Sequence, residues 1–307
     1  MPPSLHTILG ANGVIGREIS RALPSDVRIR QVSRHPRAEN PIDETFAADL
    51  LDREAVERAV AGSAVAYLVA GLKYDARVWA KQWPVVMRNT IDACKRHGVR
   101  LVFFDNVYAY GLVDGAMTET TPFRPISRKG EVRAAIATML LKEMRAGEVQ
   151  AMIVRSADFY GPGAAQSFPN VIVFERLRAG KKPQWIGDPD AIHTFTHTPD
   201  AGGAVAALAR STEAYGQTWH LPTSRERLTG AEFVRLACDI AGRSYNLEVA
   251  PRWLLRLMGV VVPVLRENQE MLYQLENDYV FDSSRIEAEY GLKATGYREG
   301  IERSLAS

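Results

Sequence analysis

A short apolar run, Leu5 to Leu9, passes straight into Gly10-Ala-Asn-Gly-Val-Ile-Gly16, and apolar residues then return at Val14, Ile15, Ile19 and Leu23. The run reads as a strand and the later spacing as a helix, with three glycines at the junction. Each glycine answers a separate demand: a tight turn, close approach of backbone to a ligand, and close packing of the helix. A helix that begins there presents unpaired N–H groups and a partial positive charge, which suit a pyrophosphate. The expected function of the segment is to hold a dinucleotide, with contacts from Gly10, Asn12, Gly13, Val14, Ile15 and Gly16.

The same alternation continues. Strands are expected at 5–9, 27–32, 65–70, 100–105 and 150–155, and helical patterns at 14–23, 52–61, 79–97 and 130–146. Strands separated by helices imply parallel pairing through right-handed crossovers, hence a doubly wound α/β sheet of the Rossmann kind. Ligands of such sheets sit at the carboxyl ends of the strands. Past Tyr160-Gly-Pro-Gly163 the rhythm becomes irregular. The reading is therefore a dinucleotide-binding domain over 1–160 and a smaller substrate-binding region over 161–307, with about 190–222 returning to the first domain.

Charge and cysteine content narrow the setting. A formal net charge of +2, from 38 basic and 36 acidic residues among 307, gives no field suited to nucleic acid. Two separated cysteines, Cys94 and Cys238, fit a reducing cytoplasm without disulfides, and no metal site is expected. The first strand begins close to Met1, leaving no room for a signal peptide. The apolar stretch Trp253–Leu265, broken by Arg256 and Pro263, is too short to span a bilayer, so no membrane partner is expected.

Past the second strand stands Ser33-Arg34-His35-Pro36-Arg37, where an NAD-selective site usually carries a carboxylate for the ribose hydroxyls. A hydroxyl and guanidinium groups suit a 2′-phosphate instead. Ser33 and Arg34 therefore point to NADP(H), and Asp49 and Leu50 are placed to meet the adenine.

Together these segments resemble the extended short-chain dehydrogenase/reductases, the NAD(P)-dependent epimerase/dehydratase group. The glycine turn matches, and Tyr67-Leu-Val-Ala-Gly71 is similar to the family's loop beside the nicotinamide ribose, which implies contacts from Val69, Ala70 and Gly71. Phe104-Asp-Asn-Val-Tyr-Ala-Tyr-Gly111 resembles Ser-Ser-x-x-Val-Tyr-Gly, Arg155–Gly163 resembles Arg-Pro-x-x-x-Tyr-Gly-Pro-Gly, and His193–Asp200 resembles Arg-Asp-Phe-x-x-Val-x-Asp. The second of these carries Phe159 to the cofactor.

The catalytic positions depart from the family. Its Ser or Thr, Tyr, and Lys four residues later fall here on Asn106, Lys129 and Arg133. The resemblance then implies Arg133 on the cofactor ribose, Lys129 as proton donor and further cofactor contact, and Asn106 polarising a substrate oxygen. Tyr108 is the alternative acid, because Tyr110 matches the family's Val-Tyr-Gly tyrosine. The expected activity is NADPH-dependent reduction of a small apolar carbonyl or conjugated compound. A sugar-nucleotide-type epimerase with transient cofactor redox, or a non-catalytic NADPH-sensing protein, are the alternatives.

Other residues are weighed beside these. Asp105 could serve as a base or orient Lys129 or Arg133 by an ion pair. His193 and His197, four apart, share a strand face and suit a structural or substrate-lining role better than a metal. Ser156, Phe159, Phe168, Trp185, Phe195 and Trp219 could form an apolar pocket wall or simply core. Trp79, Trp83, Val86, Met87 and Cys94 make an apolar helix face that would serve either a homodimer or the chain's own core. Arg176, Arg178, Lys181 and Lys182 are basic and without an assigned role, and no other diphosphate-binding cluster is evident in the later half.

Overall fold

The computed structural model describes residues 4–250 and 267–307, so Trp253–Leu265 lies outside the described residues. The chain divides into two compact units: Met1–Ala109 with Lys129–Arg155 and Ala201–Trp219, and Tyr110–Arg128 with Ser156–Asp200 and His220–Ser307.

The first unit is built on the expected alternation. Strand β1 (Leu5–Leu9) leads to helix α1 (Val14–Ala22), then β2 (Arg28–Ser33), β3 (Glu44–Ala47), α2 (Arg53–Val60), β4 (Val65–Leu68), α3 (Ala76–His97) and β5 (Arg100–Asp105). Helix α4 (Arg128–Arg145) and the strand Ala151–Arg155 follow. The sheet has seven strands, ordered Thr218–His220, Ala151–Arg155, β5, β4, β1, β2, β3. Pairing from β3 across to Ala151–Arg155 is parallel throughout. The order reverses between β1 and β4, which makes the carboxyl ends of those strands the ligand crevice of a doubly wound sheet. Ile8, Leu9, Val32, Leu68, Leu101, Val102 and Phe103 are all buried, as a sheet covered on both faces requires.

Two strands of this sheet escape the sequence pattern. β3 is an edge strand whose residues alternate between partial and full exposure, so its apolar signal is weak. Thr218–His220 has only three residues, too few for any period to show.

Helix α3 buries Trp79, Trp83, Val86, Met87 and Cys94 within the chain. That apolar face is consumed by the core, so it does not supply the homodimer surface that it could have served. Asp75 caps α3 by accepting from the N–H groups of Arg77 and Val78, and Gly98 closes it in the left-handed conformation.

A buried pair on the sheet carries a pH consequence. His6 Nδ1 lies 2.8 Å from the Tyr67 hydroxyl, and burial, helped by the Arg100 cation, pushes the imidazole down to about 4 from 6.5. Between those values the unfolded chain holds a proton on His6 that the folded chain lacks, so stability rises with pH across the window. Acidification from about pH 7 to about pH 4 is expected to remove roughly 3 kcal/mol through this group. Urea melts at the two pH values, repeated on His6→Gln, check it: the acid loss should shrink in the variant.

The second unit uses three short parallel strand pairs, Ala116–Met117 with Val280–Phe281, Asp158–Tyr160 with Phe195–His197, and Gln184–Ile186 with Glu248–Ala250. Its core gathers Tyr160, Phe174, Trp185, Phe195, Phe233, Tyr297 and Ile301. Trp185 and Phe195 are thus core rather than pocket wall. Trp219, in the first unit, is fully buried and donates its indole N–H to the Ala214 carbonyl.

Candidate active site

The glycine turn shows what each glycine is for. Gly10 has φ +101°, and a Cβ on it would lie 2.4 Å from Ala70 Cα, so both the turn and the approach of the β4 loop demand glycine. A Cβ on Gly16 would sit 2.7 Å from the Ala11 carbonyl oxygen, which lets α1 start close under the turn. Gly13 is different: it is exposed, and a Cβ there would meet nothing closer than the Gly10 oxygen at 3.4 Å. Its open side is where a ligand's backbone contact fits. Gly13 also N-caps α1 without any side-chain hydrogen bond, and the first turn of α1 holds no acidic residue, whereas Asp52 and Asp75 cap α2 and α3. The amino end of α1 can therefore take an anion at its unpaired N–H groups.

Around this turn the expected cofactor residues take defined places. The Gly10 and Ala11 N–H groups both donate to the Val32 carbonyl, tying the turn to the end of β2. Asn12 donates its side-chain amide to the His35 carbonyl at 2.8 Å, and Ser33 Oγ accepts from the His35 N–H. These bonds set the course of residues 33–35. Arg34 and Arg37 are exposed and make no ion pair among the described residues. Asp49 is exposed and accepts from the Leu51 N–H, Val69 donates to Leu9 on β1, and Gly71 is open on its Cβ side. Phe159 is half-buried and belongs to the second unit.

At the carboxyl end of β5 the four residues expected to carry chemistry stand in one cluster of the first unit. Asp105 is its buried anchor. Its Oδ1 accepts from Arg133 Nε at 2.7 Å, from Arg133 Nη2, and from the Asn106 N–H at 2.9 Å, and its Oδ2 accepts from Arg155 Nε at 3.2 Å. The Arg133 guanidinium lies over Trp83 at 4.6 Å and Phe103 at 5.0 Å, with its side chain only 4% exposed. The group assigned by resemblance to the cofactor ribose is thus engaged by Asp105 inside the unit. Of the roles weighed for Asp105, the structure shows the ion pair with Arg133.

Asn106 uses its side-chain carbonyl to accept from the Tyr108 N–H, closing the short 3₁₀ turn Tyr108–Tyr110. Its amide nitrogen remains as a donor that can serve an oxygen. Lys129 is buried one helical turn before Arg133, with its ammonium 4.5 Å from the centre of the Tyr74 ring. Tyr74 hydroxyl lies 3.4 Å from Tyr108 hydroxyl, and Tyr108 stacks on Trp79. Tyr74 was not foreseen. Its only sequence signal is an aromatic residue in the loop after a strand end, one position before the α3 cap.

Tyr110 belongs to the second unit. It is buried, with its hydroxyl 2.7 Å from His220 Nε2, while His220 Nδ1 lies 2.8 Å from the Asp282 carbonyl. The Nδ1–H donates to that carbonyl, so Nε2 accepts from the phenol. His193 lies 3.1 Å from Asp158 Oδ2 and stacks on Tyr279, and His197 is buried 3.5 Å from Asp200. Three of the four unassigned basic residues also find partners. Arg176 and Lys182 pair with Glu248, and Arg178 donates to the carbonyls of Ser304 and Ser307.

Comparison with known proteins follows the same lines. A sequence-family model described as the NAD dependent epimerase/dehydratase family matches residues 6–221. No curated protein gives a significant match. Among solved structures, the UDP-glucose 4-epimerase of Thermus thermophilus in complex with NAD aligns with TM-score 0.78 and 19% identity, covering 98% of both chains. The dTDP-glucose 4,6-dehydratase of Streptomyces venezuelae with NAD bound aligns with TM-score 0.76 and 18% identity, covering 98% of this chain and 96% of the other. The UDP-N-acetylglucosamine 4-epimerase of Bacillus cereus gives TM-score 0.78 and 15% identity, covering 99% and 96%. At these identities the likeness is one of fold. Among the described residues no helix is long and apolar enough to cross a membrane.

Proposed function

We propose that this chain, which belongs to the NAD dependent epimerase/dehydratase family, is an enzyme of hydride transfer at a carbinol or carbonyl carbon. Its substrate is a small molecule of the sugar-nucleotide class, turned over without net redox change. The observation that carries the reading is one of placement. An uncapped helix amino end behind an open Gly13 stands past β1, and the Asn106–Tyr108–Lys129 cluster past β5, two parallel strands of one unit separated only by β4. The sugar-nucleotide class is supported by the names of the similar structures, two epimerases and a dehydratase.

The residues divide the task. A nicotinamide dinucleotide supplies the site that accepts and returns hydride. The α1 amino end and the Gly13 backbone would hold its pyrophosphate, and Asp49 and Leu50 its adenine. Val69, Ala70, Gly71 and Lys129 would line its nicotinamide half, with whatever reach Arg133 keeps beyond Asp105. Ser33 and Arg34 would take a 2′-phosphate, which makes NADP(H) the favoured cofactor. Asn106 would donate to the substrate oxygen, and Lys129 with Tyr108 would manage its proton.

A second reading, net reduction of a small apolar carbonyl by NADPH, is favoured by one observation. Arg176, Arg178 and Lys182 are engaged within the chain, so they do not form a ready diphosphate site. Two measurements separate the readings. An epimerase should retain nucleotide through purification and convert UDP-glucose or dTDP-glucose to an isomer or keto sugar seen by NMR. A reductase should instead consume added NADPH with aldehydes or enones. Turnover of neither kind, with cofactor bound in stoichiometric amount, would leave the NADPH-sensing alternative and overturn the proposal.

Lys129→Met is expected to lower turnover by roughly 10²–10⁴-fold, the usual share of a positioned acid–base group. Full turnover in that variant would remove Lys129 from the mechanism.

A further inference from the structure

The proposed function draws on Lys129, Asn106 and Tyr108 and leaves the polar aromatic group beside them unused. Tyr74 enters from the segment between β4 and α3, next to the cap residue Asp75. Three contacts fix it. Its hydroxyl lies 3.4 Å from that of Tyr108, the Lys129 ammonium sits 4.5 Å from its ring centre, and Trp79 meets it edge to face. Trp79 also stacks on Tyr108, whose backbone is pinned by Asn106. Residues from β4–α3, α3, β5 and α4 thus converge on two phenols and one cation.

We propose that Tyr74 and Tyr108 act as a coupled phenol pair under the Lys129 cation, with Tyr108 exchanging the proton of the substrate oxygen and Tyr74 as its positioning partner. This rests on the hydride-transfer reading given above. With a nicotinamide cofactor bound, which would supply the hydride, the substrate oxygen would take the Tyr108 proton and the O–H electron pair would stay on the phenol oxygen. The Tyr74 hydroxyl then donates to that oxygen, and the ammonium favours the charge that the two rings share. The reverse step returns the proton to Tyr108 as the hydride leaves the carbon.

The surrounding charges allow this. Asp75 is occupied by the N–H groups of Arg77 and Val78, and Asp105 by Arg133 and Arg155. The Arg133 guanidinium faces Trp79 and Trp83, and Lys73 is exposed. Among the described residues, the Lys129 ammonium lies over the Tyr74 ring.

The pair can be tested without any substrate, by ultraviolet titration of tyrosinate in the full chain and its variants, each checked by a melting curve. Burial pushes Tyr67, Tyr160 and Tyr279 well up, so they ionise late. One tyrosinate equivalent is expected to form ahead of all others by roughly one pH unit or more. It should vanish in Tyr74→Phe and in Tyr108→Phe, be delayed in Lys129→Met, and persist in Lys129→Arg. Absence of an early equivalent in the parent protein, its survival in both phenylalanine variants, or indifference to Lys129→Met would overturn the pair. If one phenylalanine variant does not fold, the two Lys129 variants still decide. NADPH titration is the separate check: an early tyrosinate without saturable cofactor binding would sink the hydride-transfer reading and leave the phenol pair standing.

Discussion

Replacing Asp105 by Ala is expected to destabilise the protein by roughly 3–5 kcal/mol, the largest single effect foreseen for this chain. Asp105 is fully buried and answers two buried guanidinium groups, Arg133 and Arg155. Removing the carboxylate leaves positive charge in a low-dielectric interior where neither cation is solvated. A thermal melt should show the midpoint falling by about 5–15 °C. The double variant Asp105→Ala, Arg133→Met should recover part of the loss, because it removes one of the two buried cations that Asp105 answers and leaves an apolar chain against Trp83 and Phe103. A single variant as stable as the parent would show that the buried ion pair is not what fixes the end of β5. The same substitution frees the Asn106 N–H and, through Asn106, the turn that holds Tyr108, so the cluster proposed to carry the chemistry should loosen along with the core.

The second large effect is on cofactor choice. Arg34→Ser is expected to weaken NADP binding by roughly 1.5–3 kcal/mol, about 10- to 150-fold in Kd, with little change for NAD. Arg34 stands exposed past the end of β2 with no carboxylate partner among the described residues, on a loop whose course is set by Asn12 and Ser33. A charge-assisted contact to a 2′-phosphate would be its own, not shared with structure. Paired fluorescence titrations with NADPH and NADH check this. An unchanged NADPH affinity, or equal losses for both cofactors, would count against the assignment.

The extent to which the site was legible follows the range of the interactions concerned. Asn106, Tyr108, Lys129 and Arg133 could be named because strand ends and helix turns place side chains by local rules: two of them just past β5, and two one helical turn apart on α4. What Arg133 does was left open between a cofactor-ribose contact and an ion pair with Asp105. Its guanidinium has to find the carboxylate 28 positions earlier in the chain, and nothing in the local pattern says that it will turn inward. Tyr74 was missed for the same reason, since it meets Tyr108 across 34 positions. Arg178 had no role assigned from the sequence; it closes on the carbonyls of Ser304 and Ser307, 126 and 129 positions away. The face of α3 with Trp79 and Trp83 could serve core or partner equally well by its periodicity; burial within the chain decided between them.

By itself, then, the sequence determined the doubly wound sheet and its glycine turn at the carboxyl end of β1, because hydrophobic period and the backbone freedom of glycine act over a few residues. Only the tertiary structure decided which charges are consumed in the interior and which are left to chemistry. A buried guanidinium or ammonium must be satisfied by whatever the fold brings beside it, and that neighbour is chosen by packing across the whole chain.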